Sequence, residues 1–450
     1  LVAAARIVGD SASSPERPAS ESVGAEIGPY RLVEQIGEGT FGVVFLAEQE
    51  RPVKRRVALK IIKAGMDTRR FVARFQAERQ TLAAMNHPNI ARVIDGGATE
   101  MGRPYFVMEY VQGEPITAYA DRHTLNLRSR LELFISVCEA IQHAHQRGII
   151  HRDIKPNNIL VTELDGRATP KVIDFGIAKS FGPMLTEGTS MTERGQLVGT
   201  PEYMSPEQAA MGAAEIDTRA DVYSLGVVLY ELIAGVLPFD WKALRIEGLG
   251  EVLKSLRETD PPRPSTRLST VDAAKATEIA ANRESQQARL TRELSRELEW
   301  IPMKALRKAP GERYQSPRDM AEDIGRYLRG EALEAGPEAV GYRLRKFVRR
   351  NRGAVGAVAG VMVVHYGAIA ILCRCFPPSS LHVAWYRPGA IPRRIPTPRP
   401  DRDSSETGDE EGCHQHRPTR DQPRTRPLAG FASTFAAAHV ARDSCGLRAG

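Results

Sequence analysis

The chain has 450 residues, 62 Lys+Arg against 55 Asp+Glu, a formal net charge of +7 and five cysteines. Residues 1–330 hold 44 charges of each sign, so the positive excess lies in residues 331–450, with 18 basic and 11 acidic residues, and the first 330 give no support to a nucleic-acid partner. Only Cys138 falls among those 330 residues, and no cysteine spacing points to a disulfide framework or a zinc site. Residues 1–28, rich in Ala, Ser, Glu and Pro and without a signal-peptide core, predict a flexible leader.

The first chemistry-bearing pattern is Gly37-Glu38-Gly39-Thr40-Phe41-Gly42-Val43-Val44, which follows the apolar-leaning run Tyr30 to Ile36. Glycines let a backbone turn tightly and approach phosphate oxygens with no Cβ in the way. By itself the G-x-G-x-x-G-x-V pattern also fits a hairpin turn or a dinucleotide fingerprint. A dinucleotide site needs a helix at the third glycine, whereas Val43, Val44, Phe45 and Leu46 read as a returning strand.

Val57-Ala58-Leu59-Lys60-Ile61-Ile62 is an apolar strand interrupted by one cation, which asks for an anion if it is buried. In the next segment Phe71, Phe75, Glu78, Leu82 and Met85 recur at helical spacing, placing a carboxylate on an apolar face. Each oddity answers the other as an ion pair, although singly each fits a snorkelling lysine or a tolerated helix glutamate. Pro104 to Val107 predicts a further strand leading into Met108-Glu109-Tyr110-Val111.

The most informative stretch is His151-Arg152-Asp153-Ile154-Lys155-Pro156-Asn157-Asn158, followed by Asp174-Phe175-Gly176. It supplies an aspartate to accept a hydroxyl proton, a lysine two residues on, an asparagine five residues on, and a second aspartate for Mg²⁺. Such a set answers the demands of in-line phosphoryl transfer.

With these motifs in order, the region from about Tyr30 to Leu328 resembles a eukaryotic-type Ser/Thr protein kinase domain of the bacterial membrane-anchored kind. The resemblance implies an α+β, two-lobed fold: an N-lobe over 29–108 of antiparallel sheet plus one helix, and a mainly helical C-lobe over 112–330. It implies ATP and Mg²⁺ in the cleft, with Asp153 as catalytic base, Lys155 on the γ-phosphate, and Asn158 and Asp174 as Mg²⁺ ligands. Lys60, paired with Glu78, would clamp the α- and β-phosphates beneath the loop of Gly37, Gly39 and Gly42. Ile36, Val44, Ala58 and Leu160 would enclose adenine, Met108 would be the gatekeeper, and the backbone of Glu109 and Val111 would face the base. Leu82, Val93, His151 and Phe175 match the family's spine positions, and Asp221 would tether the catalytic loop.

By the same resemblance, Asp174 to Glu207 is an activation segment. Glu207 matches a residue that pairs with Arg313, and Ser205 stands where the family usually has alanine. Arg152 would dock a phosphate on Thr192, Thr189, Thr186 or Ser190, with Thr192 favoured. Lys155 with Thr200 implies Ser/Thr acceptors in protein substrates, and trans-autophosphorylation implies a homodimer. A pseudokinase scaffold would be expected to lose Lys60, Asp153, Asn158 or Asp174, and all are present. A small-molecule phosphotransferase of related fold would lack Lys155 and the long segment ending Ser205-Pro206-Glu207.

The charged stretch around Ala273 to Glu299 predicts an extended helical insertion in the C-lobe, either a docking element or simply a solvated helix. Residues 331–353 form a basic segment with six cations between Arg343 and Arg352, and 354–373 contain no charge at neutral pH apart from a protonatable His365. Twenty such residues match a helix across a ~30 Å hydrocarbon core. The preceding cations put the kinase domain on the cytoplasmic side of a membrane; a buried core helix is the alternative. Residues 374–450, with 12 Arg, 10 Pro and no Lys, predict disorder. A reading-frame shift near Val364 is one account of that tail, and an Arg/Pro-rich segment for anionic polymer or lipid the other.

Overall fold

The computed structural model describes residues 22–39, 42–63, 85–175, 201–210, 216–241, 244, 248–337 and 339–375. The chain divides into two units, residues 1–375 and 376–450, and the described residues belong to the first. Glu78, Gly176 and the hydroxyls from Thr186 to Thr200 lie outside the described residues.

Six antiparallel strands build the N-terminal sheet: β1 Glu26–Ile27, β2 Tyr30–Glu38, β3 Gly42–Gln49, β4 Arg55–Ile62, β5 Val93–Ala98 and β6 Pro104–Glu109, in the order β1-β2-β3-β4-β6-β5. Residues 22–28, expected within a flexible leader over 1–28, instead belong to the fold, because Gly28 turns at φ +56° and lets Ile27 pair with Tyr30 and enter the core. Phe45, Val57, Leu59, Ile61, Tyr105 and Val107 pack together on one side of the sheet. Strand alternation sends Ala58 and Lys60 to the other side. The register sets Met108 opposite Ala58 and Val44 opposite Lys60 on that second face. Met108 and Glu109, expected beyond the strand, are its last two residues.

Below this sheet, β7 Glu114–Pro115, β8 Ile159–Leu164 and β9 Arg167–Val172 form a small sheet in the order β7-β8-β9. It packs with α1 Ile116–Arg122 and α2 Leu127–His145, the latter N-capped by Asn126, whose side chain accepts from Ser129 N–H. After α3 Pro206–Ala209 comes α4 Thr218–Ala234, capped by Asp217 and closed by Gly235 at φ +72°. Helix α4 is buried on almost every side, which marks it as the helix around which the C-lobe assembles.

Helices α5 Leu249–Glu258, α6 Pro264–Ser269, α7 Ala273–Ala281, α8 Gln287–Glu293, α9 Trp300–Ala305 and α10 Pro317–Arg329 complete the lobe. The segment expected as an extended helical insertion is broken into two short helices and a π-helical stretch, Leu294–Leu298. Ile279, Leu290, Leu294 and Leu298 join the main core, and buried Arg283 donates to the carbonyls of Ile233, Ile279 and Leu232 at 2.8, 2.9 and 3.0 Å. Arg130 on α2 reaches the same helix end, donating to Leu232 O at 3.3 Å, and also to Asn282 O at 2.6 Å. Arg283 and Glu299 turn inward, while Lys275, Glu278, Glu284, Arg289, Arg292 and Arg296 form the segment's exposed face.

Helix α11 Val340–Arg350 follows, and after a break at Asn351 comes α12 Arg352–Cys375. Within α12, Arg352–Leu372 is long and apolar enough to cross a membrane, and none of it is buried against the protein.

Candidate active site

The catalytic-loop geometry starts from a buried carboxylate. Asp221, in the first turn of α4, is fully buried. Its Oδ2 accepts from the His151 backbone N–H at 2.7 Å and from His145 Nε2 at 2.7 Å, and its Oδ1 accepts from the Arg152 N–H at 2.8 Å. Burial by itself would raise this carboxyl, but the His145 hydrogen bond, the nearby histidines and the His151 N–H outweigh it and hold the group below its ordinary range. These bonds oppose a local cost, because Arg152 sits at φ +62°, a left-handed conformation unfavourable for a residue with a Cβ.

His151 is buried and its ring is 4.7 Å from that of Phe175. Its Nε2 bonds Ile173 O at 3.2 Å while Nδ1 accepts from the Asp153 N–H at 3.3 Å, a pattern that a neutral ring satisfies. Burial accordingly pushes the His151 pKa down. The residue holds the loop's backbone and faces the core.

The polar side chains then converge. Asn158, at the end of the 3₁₀ turn Pro156–Asn158, donates through Nδ2 to Asp153 O at 2.7 Å and Asp153 Oδ2 at 3.0 Å. Lys155 Nζ lies 2.9 Å from the same Oδ2. The Ile173 N–H donates to Asn158 O at 2.9 Å, which ties the loop to the residue before Asp174. Asp174 itself is left-handed at φ +56°, and its Oδ1 pairs with Lys60 Nζ across the lobes. With Glu78 outside the described residues, the anion that the structure gives Lys60 is Asp174.

Above this group, the Gly39 N–H donates to Gly42 O at 2.9 Å as β2 turns into β3. A Cβ on Gly42 would come within 2.4 Å of Ile61 O, so only glycine fits there. Gly37 pairs with Val44, in line with Lys60, Ala58 and Met108 on the sheet's second face. Ala58 is buried, Met108, Val44, Val111 and Leu160 are partly buried, and Ile36 is exposed at the rim. The Glu109 N–H donates to Arg92 O at 2.8 Å. A Cβ on Gly113, where the linker enters the C-lobe, would meet Val161 O at 2.6 Å.

Hard oxygen donors of this kind suit Mg²⁺. It keeps several waters and takes one or two protein carboxylates beside phosphate oxygens, so a full cage of acidic residues is not required. Asn158 spends its amide nitrogen on Asp153, leaving its side-chain oxygen directed away from that residue, and Asp174 supplies a carboxylate next to it in the fold. The residues present fit such an ion.

The end of the activation segment is anchored firmly. Arg313 is fully buried and grips Glu207 in a two-pronged pair at 2.7 and 2.8 Å, while also donating to the carbonyls of Arg307, Lys308 and Arg219. Ser205 is buried and N-caps α3 in a reciprocal capping box with Gln208. Gln208 Nε2 donates to Arg152 O at 2.9 Å and so couples this anchor to the catalytic loop.

Sequence reasoning missed His145, Gln208 and Lys171, the last of which pairs with Glu109 at 2.6 Å. The Ser205-x-x-Gln208 capping pattern was a readable signal for Gln208. For His145 and Lys171 the sequence carried none, because their partners are set by the tertiary fold.

A family model described as the protein kinase domain matches residues 30–321. Serine/threonine-protein kinase Pkn1 of Myxococcus xanthus is 37% identical over 296 residues, covering 65% of this chain and 37% of that protein. Serine/threonine-protein kinase PknB of Mycobacterium tuberculosis is 36% identical over 313 residues, covering 68% of this chain and 44% of that protein. The chain therefore spans less than half the length of these relatives. Among solved structures, the kinase domain of M. tuberculosis PknI aligns at 26% identity and a TM-score of 0.47, covering 68% of this chain and 99% of that one. With the family model matching well over half of its residues, the chain belongs to the protein kinase domain family.

Proposed function

We propose that this chain transfers the γ-phosphate of ATP to serine or threonine hydroxyls of proteins, and phosphorylates its own activation segment. The observation that carries the proposal is the convergence of Lys155 and Asn158 on the Asp153 carboxylate, at 2.9 and 3.0 Å. Held by both, Asp153 keeps an oxygen in place to accept the acceptor hydroxyl's proton. Lys155 then serves the transferring phosphoryl group as well as orienting the base. Asn158 and Asp174 would hold Mg²⁺, whose chemistry is to neutralise charge on the phosphate oxygens. Lys60 is placed to exchange its contact with Asp174 for the α- and β-phosphates, with Glu78 as its support. Ile36, Val44, Ala58, Met108 and Leu160 enclose the adenine, and the glycines of 37–42 cover the phosphates.

Phosphorylation of Thr192 or Thr189 would dock on Arg152, which already links Asp221 and Gln208 through its backbone. Helix α12 would anchor the chain in the cytoplasmic membrane as a single span, kinase domain inside, with a homodimer serving trans-autophosphorylation. The test is labelled-phosphate transfer from Mg-ATP by residues 22–337 to themselves and to a generic basic protein, beside Asp153→Asn. Incorporation on Ser/Thr that falls roughly 10²–10⁴-fold in the variant supports the reading. ATP binding without transfer by the unaltered domain would make it a scaffold.

A further inference from the structure

Helix α11 presents two different faces. One is turned to the C-lobe: Lys346 Nζ lies 2.5 Å from Glu297 Oε2, Arg350 Nη1 lies 2.6 Å from Glu331 Oε1, and the Leu333 N–H donates to Tyr342 Oη at 3.2 Å. Residues 342, 346 and 350 share that face by their four-residue spacing. The opposite face is apolar, formed by Val340, Leu344, Phe347 and Val348, which are 79, 58, 55 and 38% exposed. Soluble proteins seldom leave such a stripe uncovered. Arg343, Arg345 and Arg349 flank it, all exposed, and no acidic residue occurs from 340 to 352.

The geometry points to an anionic lipid surface as the occupant of this stripe. An apolar band flanked by arginines is the pattern of a helix lying at a bilayer interface, and each cation near such a surface strengthens binding about five-fold. Continuity supports the same partner, since α11 leads through Asn351 directly into the uncovered apolar helix α12. The inference rests on reading α12 as the membrane anchor and adds a second contact. Because the other face of α11 is fastened to Glu297, Glu331 and Leu333, lipid contact would fix the orientation of the C-lobe relative to the bilayer.

The test uses the full chain reconstituted into vesicles of phosphatidylcholine alone, or with one quarter phosphatidylglycerol. A photoactivated carbene reagent confined to the bilayer labels the chain, and mass spectrometry locates the adducts. The expected result is label within 352–372 in both vesicles, and label on Leu344, Phe347 and Val348 that rises about three-fold or more with the anionic lipid. L344Q/F347Q/V348Q should lose only the second signal, and R343Q/R345Q/R349Q should lose its lipid dependence. Label in 352–372 with none on the stripe overturns the inference and leaves the anchor standing. Absence of label from both segments overturns both. Equal stripe labelling in the two vesicles removes the anionic preference, and cross-links between stripes of two chains would give the surface to a second copy instead.

Discussion

Asp221→Asn changes almost no volume but removes one acceptor and a charge from the support of the catalytic loop. Asparagine offers one oxygen where the aspartate uses two. Oriented to keep the donors of Oδ2, His151 N–H and His145 Nε2, it turns its own NH₂ toward the Arg152 N–H. One hydrogen bond becomes a clash of donors and two lose their charge assistance, and relief of the buried carboxylate's desolvation offsets part of this, for a net loss of about 2–4 kcal/mol. For a domain of this size that is a drop in Tm of about 3–6 °C. Arg152, no longer held at φ +62°, relaxes, and Asp153 moves with it. A displacement near 1 Å costs about 10²-fold in kcat. Asp323→Asn is the control: Asp323 is equally buried, with three comparable donors in the Tyr314 hydroxyl and the backbone N–H groups of Glu334 and Ala335. It should lose similar stability while keeping its kcat below the melting transition. Unfolding by differential scanning fluorimetry and steady-state phosphotransfer measure both quantities. Wild-type turnover in Asp221→Asn, or an equal loss in Asp323→Asn, would refute the reasoning.

Arg313→Met leaves Glu207 paired with nothing from that side chain and three carbonyls short of donors, at a cost of about 3–5 kcal/mol; adding Glu207→Leu should return about half of it in urea unfolding. Lys308 is pushed down to about 8 by burial, so between that value and 10.5 the unfolded chain binds more protons and stability rises with pH. Lys308→Met should therefore stabilise the domain at pH 7 by about 1 kcal/mol, discounted for solvent access, and the gain should shrink as pH climbs from about 8 toward 10.5. A gain independent of pH would trace it to packing instead.

The residues of the candidate catalytic loop were legible as a cluster because the chemistry proposed for them admits few residue types, at spacings set by one loop. The Asp153–Lys155–Asn158 cluster spans only a short turn, so sequence distance and spatial distance agree. Strand β4 was legible for a similar reason, since a lone lysine in an apolar run announces a second environment. Legibility failed where charge was read as exposure. Arg283 lies in a segment that looks solvated, yet its guanidinium, like that of Arg130, is buried against main-chain carbonyls, partners that every sequence contains and no pattern singles out. Ile27 was missed for the converse reason: one apolar residue next to a glycine turn gives no periodicity to detect.

The same two arginines determine how the domain responds to its ionic surroundings. Exposed pairs such as Arg128–Glu132 and Arg318–Glu322 sit within reach of mobile ions, which screen over about 8 Å at physiological strength. Arg130 and Arg283 are buried and held mainly by main-chain carbonyls, those of Leu232 and Ile233 at the end of α4 among them, with the partly exposed Asp121 carboxylate beside both guanidiniums. Their contribution is therefore less sensitive to salt than that of the exposed pairs. A rise in ionic strength would weaken the domain's rim more than the junction between α2, α4 and α7.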